Sequence, residues 1–484
     1  MIALDIVLVA FVVAGAIPPV VGVYTFVLAS VHALSTRREQ LAPLFPRVAI
    51  VVPAWNEAAV LGRTLDRLAT LEYPREALRV YVVDDASTDS TPELVAEKAG
   101  EHPGLIFHLR REHGGQGKAH TINHGLDVIL AEDWYEAVLI IDADVILTVE
   151  SLRRMTRHFA AEDVGAVTAY IKEGSRPENY LNRFVSFEYV TAQAAARRAQ
   201  NVLGAQACLA GGAQLLTRAS LEAVGGRIDT STLAEDTATT FKVQLAGLRV
   251  VFDPTAVVWA EEPRDIGGLW KQRLRWGRGN VQITRAFRHV WLRRRNGKLG
   301  GIGFAAIWFS TTLMPVFMTL SSIGLLGLFV FDRHLSEHAF RLLLGVNVVT
   351  YLFITLSAIS IDPATARRTW REAILFPGVV SLLFIIYAAY PPVFNGLHPS
   401  AAVITAVALF AYAWQAGCML VAAALKRLES VPVARLVVPP LLYVVGYGPL
   451  LASMTAAAYG KELRGAEMRW EKTEKSGKIG EALQ

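Results

Sequence analysis

Val138-Leu139-Ile140-Ile141-Asp142-Ala143-Asp144 decides how this chain is read. Four apolar residues, three of them β-branched, specify a strand buried on both faces, as in a parallel sheet. The run stops on two carboxylates one residue apart. In an open α/β sheet a ligand lies beyond the carboxyl ends of the strands. Two hard oxygen donors there suit Mg²⁺ or Mn²⁺ held together with substrate phosphates. An Asp-x-Asp pair alone is better explained by a polar turn, so the flanking sequence must separate the two readings.

Upstream, Arg47 to Pro53 reads as a first strand and Glu57 to Leu71 as an amphipathic helix. Leu78 to Asp85 is a second strand closing on acids, and Leu105 to Leu109 a third. Ser90-Thr91-Pro92-Glu93 has the form of a helix start, and Thr121 to Leu130 is a helix leading into the quoted strand. Downstream, Asp163 to Tyr170, Gly211 to Leu216 and Arg249 to Phe252 read as strands. Asn179 to Gln200 reads as a helix packing Tyr180, Phe184, Phe187 and Tyr189. Alternating strands and helices predict a mainly parallel sheet with right-handed crossovers.

Of the 484 residues 53% are hydrophobic and only 19% charged, which is too apolar for an ordinary soluble enzyme. Residues 2–34 have transmembrane length with Pro18-Pro19 in the middle, predicting one kinked helix that is retained rather than cleaved. Arg37, Arg38 and Arg47 then place the next domain in the cytosol. Residues 302–331, 340–361, 373–390 and 400–425 read as further spans, and the proline-rich 432–458 as a re-entrant or interfacial path. The expected layout is a membrane helix over 1–36, a catalytic domain over 45–262, interfacial helices over 263–298, a membrane bundle over 299–458 and a charged cytosolic tail over 459–484. The net charge of +5 fits membrane-proximal basic residues, and no Lys/Arg stripe interleaved with aromatics suggests nucleic acid. Two cysteines give neither a disulfide framework nor zinc spacing.

Three more stretches carry chemistry. His113-Gly114-Gly115-Gln116-Gly117-Lys118-Ala119 is a glycine-rich turn that lets backbone N–H groups approach phosphate, with Lys118 as a point charge. Ala234-Glu235-Asp236 precedes a helix expected near Thr237, whose dipole stabilises a carboxylate at its start. Gln272-Arg273-Leu274-Arg275-Trp276 combines an amide, a guanidinium fork that can bind diphosphate, and a flat ring that can stack on a sugar. Set among arginines and aromatics from 264 to 295, it also fits a helix lying on the inner leaflet.

Taken in order, Asp84/Asp85, Asp142-x-Asp144, Glu235-Asp236 and Gln272-x-x-Arg275-Trp276 resemble the membrane-embedded family 2 glycosyltransferases, the synthases of cellulose, chitin, hyaluronan and poly-β-1,6-N-acetylglucosamine. The similarity covers about residues 45–295, and the tail Met468 to Lys475 also resembles bacterial members. It implies an α/β GT-A fold, Rossmann-like with a mainly parallel sheet, as a cytosolic domain inserted between transmembrane α-helices. It also implies an inverting, metal-dependent hexosyltransferase that takes a UDP-sugar, with UDP-N-acetylglucosamine as the first choice, and elongates a β-linked polysaccharide across the cytoplasmic membrane. By the same resemblance Pro53, Glu57, Asp84 and Asp85 surround the uridine, Lys118 lies near the nucleotide, and Asp142 and Asp144 hold Mg²⁺ or Mn²⁺. Asp236, with Glu235 beside it, is the general base, while Gln272 and Arg275 hold the donor diphosphate and Trp276 the growing glycan acceptor. Membrane lipids and accessory secretion subunits would be further partners, and nucleic acid would not. Gly277-Arg278-Gly279-Asn280 departs from the expected poly-N-acetylglucosamine pattern. A glucan- or hyaluronan-type donor, or a single addition to a membrane lipid acceptor, therefore stays open.

Overall fold

The computed structural model describes residues 2–35, 41–390, 400–468 and positions 475, 477 and 479. Arg37, Arg38 and the tail residues Arg469 to Glu474 lie outside the described residues. Two compact units emerge: one of residues 28–264, 282–305 and 467–484, the other of residues 1–27, 265–281 and 306–466.

The first unit is built on one sheet of eight strands: β1 (Val48–Ala54), β2 (Leu78–Asp84), β3 (Ile106–Arg110), β4 (Ala137–Ile140), β5 (Val145–Leu147), β6 (Val164–Glu173), β7 (Gln214–Thr217) and β8 (Arg249–Ala260). Their spatial order is β3-β2-β1-β4-β7-β6-β8-β5. β1 to β4 are mutually parallel where they pair, as are β6 and β8. β7 runs antiparallel to both β4 and β6, and β5 antiparallel to β8. Strand order reverses around β1, which lies between β2 and β4. The crevice of an open α/β sheet falls at such a switch, outside the carboxyl ends of the strands.

Val138 to Ile141 are fully buried, and each such aliphatic side chain contributes about 1.5–3 kcal/mol. The quoted run does more than end a strand. Asp142-Ala143-Asp144 is the crossing between β4 in mid-sheet and β5 at the far edge. β5 was not foreseen, because three residues give too little alternation to register. Gly211 to Ala213 precede β7 rather than opening it, and β8 runs eight residues past Phe252 to Ala260.

Helices also differ from expectation where local chemistry intervenes. Ser90 stands at the cap of Thr91–Glu101 without a side-chain capping bond. Asp89 Oδ1 accepts from the Thr91 N–H at 2.9 Å instead. The helix expected near Thr237 starts at Glu235. Asn179 to Gln200 is not one regular helix: Tyr180–Glu188 passes into a π-helical Tyr189–Ala195 and then Ala196–Leu203. Phe184, Phe187 and Tyr189 are buried, as packing required.

Among the described residues four helices are long and apolar enough to cross a membrane, or six if each of two bent pairs counts as one span. The N-terminal helix breaks at Gly15-Ala16, between Ile2–Ala14 and Ile17–Ser35. Pro18 and Pro19 cannot close bonds to the preceding turn, so the break lies upstream of them. Residues 302–331 divide into Ile302–Thr312 and Met314–Phe331, with Pro315 in the first turn of the second. The stretch expected over 373–390 is bent by 77° between Pro363–Ile374 and Val379–Tyr387, and Val438–Val445 meets Tyr447–Leu463 at 90°. Gly378 and Gly446, with φ of 85° and 106°, sit in these two bends. A Cβ on Gly378 would lie 2.4 Å from the Val445 carbonyl, and one on Gly446 2.5 Å from the Pro377 carbonyl carbon. The bends therefore touch backbone to backbone.

The arginine-rich run does not continue as a helix to residue 295; it ends with Ile266–Ala286. Arg273 and Arg278 are buried, so these two arginines do not serve a surface-lying helix. Arg278 bonds Glu462 at 2.5 Å and the Ala466 carbonyl at 2.6 Å, and a Cβ on Gly277 would come within 2.9 Å of Ala458. Gly277 and Arg278 thus serve close helix packing within this unit.

Candidate active site

Three residues singled out in the sequence converge on Gly211. A Cβ there would stand 3.2 Å from Lys118 Nζ, 3.5 Å from Asp236 Oδ2 and 3.7 Å from Asp142 Oδ2. Lys118 opens the helix Lys118–Glu132, following Gly117 at φ 106°. Its ammonium pairs with Asp142 and lies 3.8 Å from Glu235. Burial works against the Lys118 charge, but Asp142 and Glu235 outweigh it and raise the pKa. Glu235 is buried, whereas Asp236 is half-buried, with its Oδ1 accepting from the Thr237 N–H at 2.7 Å. Cys208 is a further neighbour of Asp236. Burial and the Asp236 carboxylate push its thiol well up, which leaves it no part as a nucleophile.

Asp144 lies on the other side of the crossing. Its Oδ2 is 2.6 Å from Lys475 Nζ, and Lys475 also donates to the Glu261 carbonyl. Gly477 N–H donates to Glu261 Oε2 at 2.9 Å, and Arg63 reaches the Gly477 and Ile479 carbonyls at 2.8 and 3.2 Å. Lys475 is therefore seated beside the Asp-x-Asp crossing, with Gly477 and Ile479 nearby. No residue type announced this contact; only the antiparallel pairing of β5 with Val258–Ala260 brings Asp144 beside Glu261.

Acids cluster here. Glu173, Glu261 and Glu262 are all buried. Burial, opposed by hydrogen bonds from Ser175, pushes the Glu173 carboxyl up to about 7 from an ordinary 4.5. A proton held more tightly in the folded chain stabilises it fully below about pH 4.5, and that contribution is lost as pH rises through about 7. Glu173→Gln should flatten this part of the unfolding midpoint's pH profile and leave the profile above pH 8 unchanged in slope.

Asp84 and Asp85 lie at the carboxyl end of β2 but are already engaged. Asp84 is fully buried, with Oδ1 accepting from Ser87 N–H at 2.9 Å and Oδ2 3.0 Å from Arg110. Asp85 pairs with Arg111 and accepts from Gly115 N–H at 2.9 Å. A Cβ on Gly114 would collide with the Asp85 carbonyl at 2.0 Å, so the glycine-rich turn is held against this acid. Pro53 lies in β1, and Glu57 caps Ala58–Ala69, its N–H donating to Thr91 Oγ1 at 2.9 Å. Asn56, at φ 55°, ties the two loops: its N–H donates to Ser87 Oγ at 2.8 Å and its Oδ1 accepts from Thr88 N–H at 2.8 Å. Its adjacency to Glu57 was the available signal.

Gln272, Arg275 and Trp276 lie in the other unit, spaced to share one face of Ile266–Ala286. Arg273 donates to Gln272 Oε1 at 2.8 Å, and its guanidinium sits 4.0 Å from the Trp276 ring centre. One face of that ring is therefore covered within the motif.

Asp142 and Asp144 offer the donor chemistry of a divalent-cation site, and in the structure they face Lys118 and Lys475. Two carboxylates completed by diphosphate oxygens are the set Mg²⁺ or Mn²⁺ takes, and Gly211 keeps the ground between Asp142 and Asp236 open. Among the described residues one closely spaced trio of ligand types occurs, Asp66, Glu101 and His102. Lys98 already bridges its two acids at 2.8 Å.

A sheet reversing at β1, with an acidic crossing at that edge, is the frame of a GT-A glycosyltransferase. Mannosyltransferase PcManGT from Pyrobaculum calidifontis, solved with GDP-Man and Mn²⁺, has this fold at a TM-score of 0.54 and 22% identity, covering 82% of this chain and 100% of that one. Residues 46–279 match the family described as Glycosyltransferase like family 2, and they form a family 2 glycosyltransferase domain. "Probable glycosyltransferase YdaM" of Bacillus subtilis is 28% identical over 66% of this chain and 74% of its own length. The poly-beta-1,6-N-acetyl-D-glucosamine synthase of Staphylococcus epidermidis is 28% identical over 52% of this chain, and that of Staphylococcus aureus 29% over 49%. The chain spans 58% and 55% of those two synthases' lengths.

Proposed function

We propose that this chain is a membrane-bound, inverting glycosyltransferase that adds sugar units from a UDP-sugar to a β-linked glycan. The observation that carries this reading is the convergence of Lys118, Asp142 and Asp236 on Gly211 at the sheet's switch point. Asp142 and Asp144 would hold Mg²⁺ or Mn²⁺, which when bound supplies charge neutralisation to the leaving diphosphate. Lys118 adds a fixed positive charge at the same place, and its burial between acids keeps it protonated. Asp236 takes the proton from the acceptor hydroxyl, from the half-buried start of a helix whose N-terminus stabilises the carboxylate beforehand. Asp84 acts on the nucleotide only through the loop it holds, and Asp85 through the glycine-rich turn. The resemblance assigns Gln272 and Arg275 to the diphosphate and Trp276 to the acceptor, which then uses the ring face that Arg273 does not cover.

UDP-N-acetylglucosamine is the first choice of donor, supported by the two staphylococcal relatives. Elongation with passage across the cytoplasmic membrane is supported by the four to six apolar helices and the Gln-x-x-Arg-Trp motif. The test is to incubate purified chain with Mn²⁺ and UDP-N-acetylglucosamine, UDP-glucose, UDP-glucuronate or UDP-galactose, and to follow UDP release and product size. Polymer from the N-acetylglucosamine donor is expected. UDP release with only a lipid-extractable, singly glycosylated product would favour the alternative of one addition to a membrane lipid.

A further inference from the structure

Between Ile266 and Phe331 the sequence contains no Asp or Glu. Arg293, Arg294, Arg295 and Lys298 all fall in that stretch and are exposed. Within the sheet-bearing unit, Arg294 and Lys298 line a groove of about 560 Å³ together with Val202, Leu203 and Phe304. Among the described residues neither cation has an ion-pair partner.

The groove is built rather than incidental. Phe304 is only 1% exposed and stacks on Trp291 at 6.2 Å with an interplanar angle of 8°, which gives a rigid floor. A Cβ on Gly300 would lie 2.1 Å from the Arg293 carbonyl, so the turn carrying the cations admits only glycine there. Asn296 donates to the His289 carbonyl at 3.0 Å and closes the same turn. Val202 in its lining is 40% exposed, and Leu292 and Ile302, neighbours in sequence of the turn, are 64% and 80% exposed. The wall at Gly301 to Phe304 is also the start of the apolar helix Ile302–Thr312, which leads directly into the candidate span Met314–Phe331.

We propose that this groove binds one anionic glycerophospholipid of the bilayer. The phosphate is taken by Arg294 and Lys298, and an acyl chain lies along Val202 and Leu203. An arginine fork and a lysine point charge both suit a phosphate. The apolar rim selects the lipid over a free anion, and the missing acids remove any internal competitor.

The test uses the full-length chain in detergent, titrated with phosphatidylglycerol or phosphatidylcholine and read by native mass spectrometry. One phosphatidylglycerol should be retained with clear preference over phosphatidylcholine. Arg294→Gln with Lys298→Gln should weaken retention about thirtyfold, two interfacial cations at roughly the strength usual for each. Arg285→Gln, which removes an exposed charge outside the groove, should leave retention unchanged. Should the double variant unfold early, Lys298→Gln alone carries the comparison, with about fivefold weakening expected. Equal retention by the variants, equal affinity for phosphatidylcholine, an equal loss in Arg285→Gln, or full displacement by glycerol phosphate without chains would each overturn the assignment.

Discussion

Asp236→Asn is expected to slow UDP-coupled sugar transfer by about a thousandfold while leaving donor and metal affinity within a factor of two or three. Positioned proton transfer is worth roughly 10²–10⁴ in rate. The amide keeps the shape and can still accept from the Thr237 N–H that now bonds Oδ1 at 2.7 Å, so the helix start should survive. It cannot take a proton from an acceptor hydroxyl. Steady-state rates with UDP binding measured in parallel separate the two effects. A variant that turns over normally would remove Asp236 as the base, and one that binds UDP poorly would place it among the donor contacts instead. Glu235 is the internal control. It is buried and faces Lys118 at 3.8 Å, so Glu235→Gln should disturb the lysine's charge balance rather than the proton transfer.

The second large effect is expected from Asp144→Asn. If Asp142 and Asp144 are the two protein carboxylates on the cation, removing one charge should weaken Mn²⁺ binding at least about a hundredfold, with turnover falling in step at fixed metal. Electron paramagnetic resonance of free Mn²⁺ reads the binding without reference to activity. The substitution also breaks the 2.6 Å contact with Lys475. Lys475→Gln breaks the same contact from the other side and should retain the metal. Mn²⁺ bound equally well by wild type and Asp144→Asn would show that Asp144 serves the tail rather than the cation.

Much of the sheet was legible because buried parallel strands write themselves as unbroken apolar runs, as at Ile50 to Val52 and Val138 to Ile141. Strand β5 was not, since its meaning lies in a partner more than a hundred residues later, at Val258 to Ala260. The same separation hid the seat of Lys475. In the site, a strand end pointed to Asp142, a glycine-rich turn to Lys118 and a helix start to Asp236, but nothing local could show that Gly211 is the point they share. Asp84 and Asp85 end a strand, and the resemblance made them nucleotide ligands; that Arg110 and Arg111 already hold them depends on β3 lying beside β2. Arg273 fell in a variable position of its motif, yet its cation rests on Trp276. Positive charge near apolar helices was read as facing lipid, and Arg278 shows how a half-buried acid, here Glu462, can claim it.

The contact between Gly378 and Gly446 has a consequence for the order in which the molecule can be made. A ribosome delivers Gly378 long before Gly446, and each bend packs against the backbone of the other. The bent pair from Pro363 to Tyr387 must therefore wait, with its turn unsupported, until the segment around Val445 has been synthesised and brought alongside. Completion of the helical unit is thus a late event that depends on nearly the whole chain. A truncation that spares every residue of the sheet but stops short of Gly446 would leave an earlier hairpin without its counterpart, a target for quality-control proteolysis.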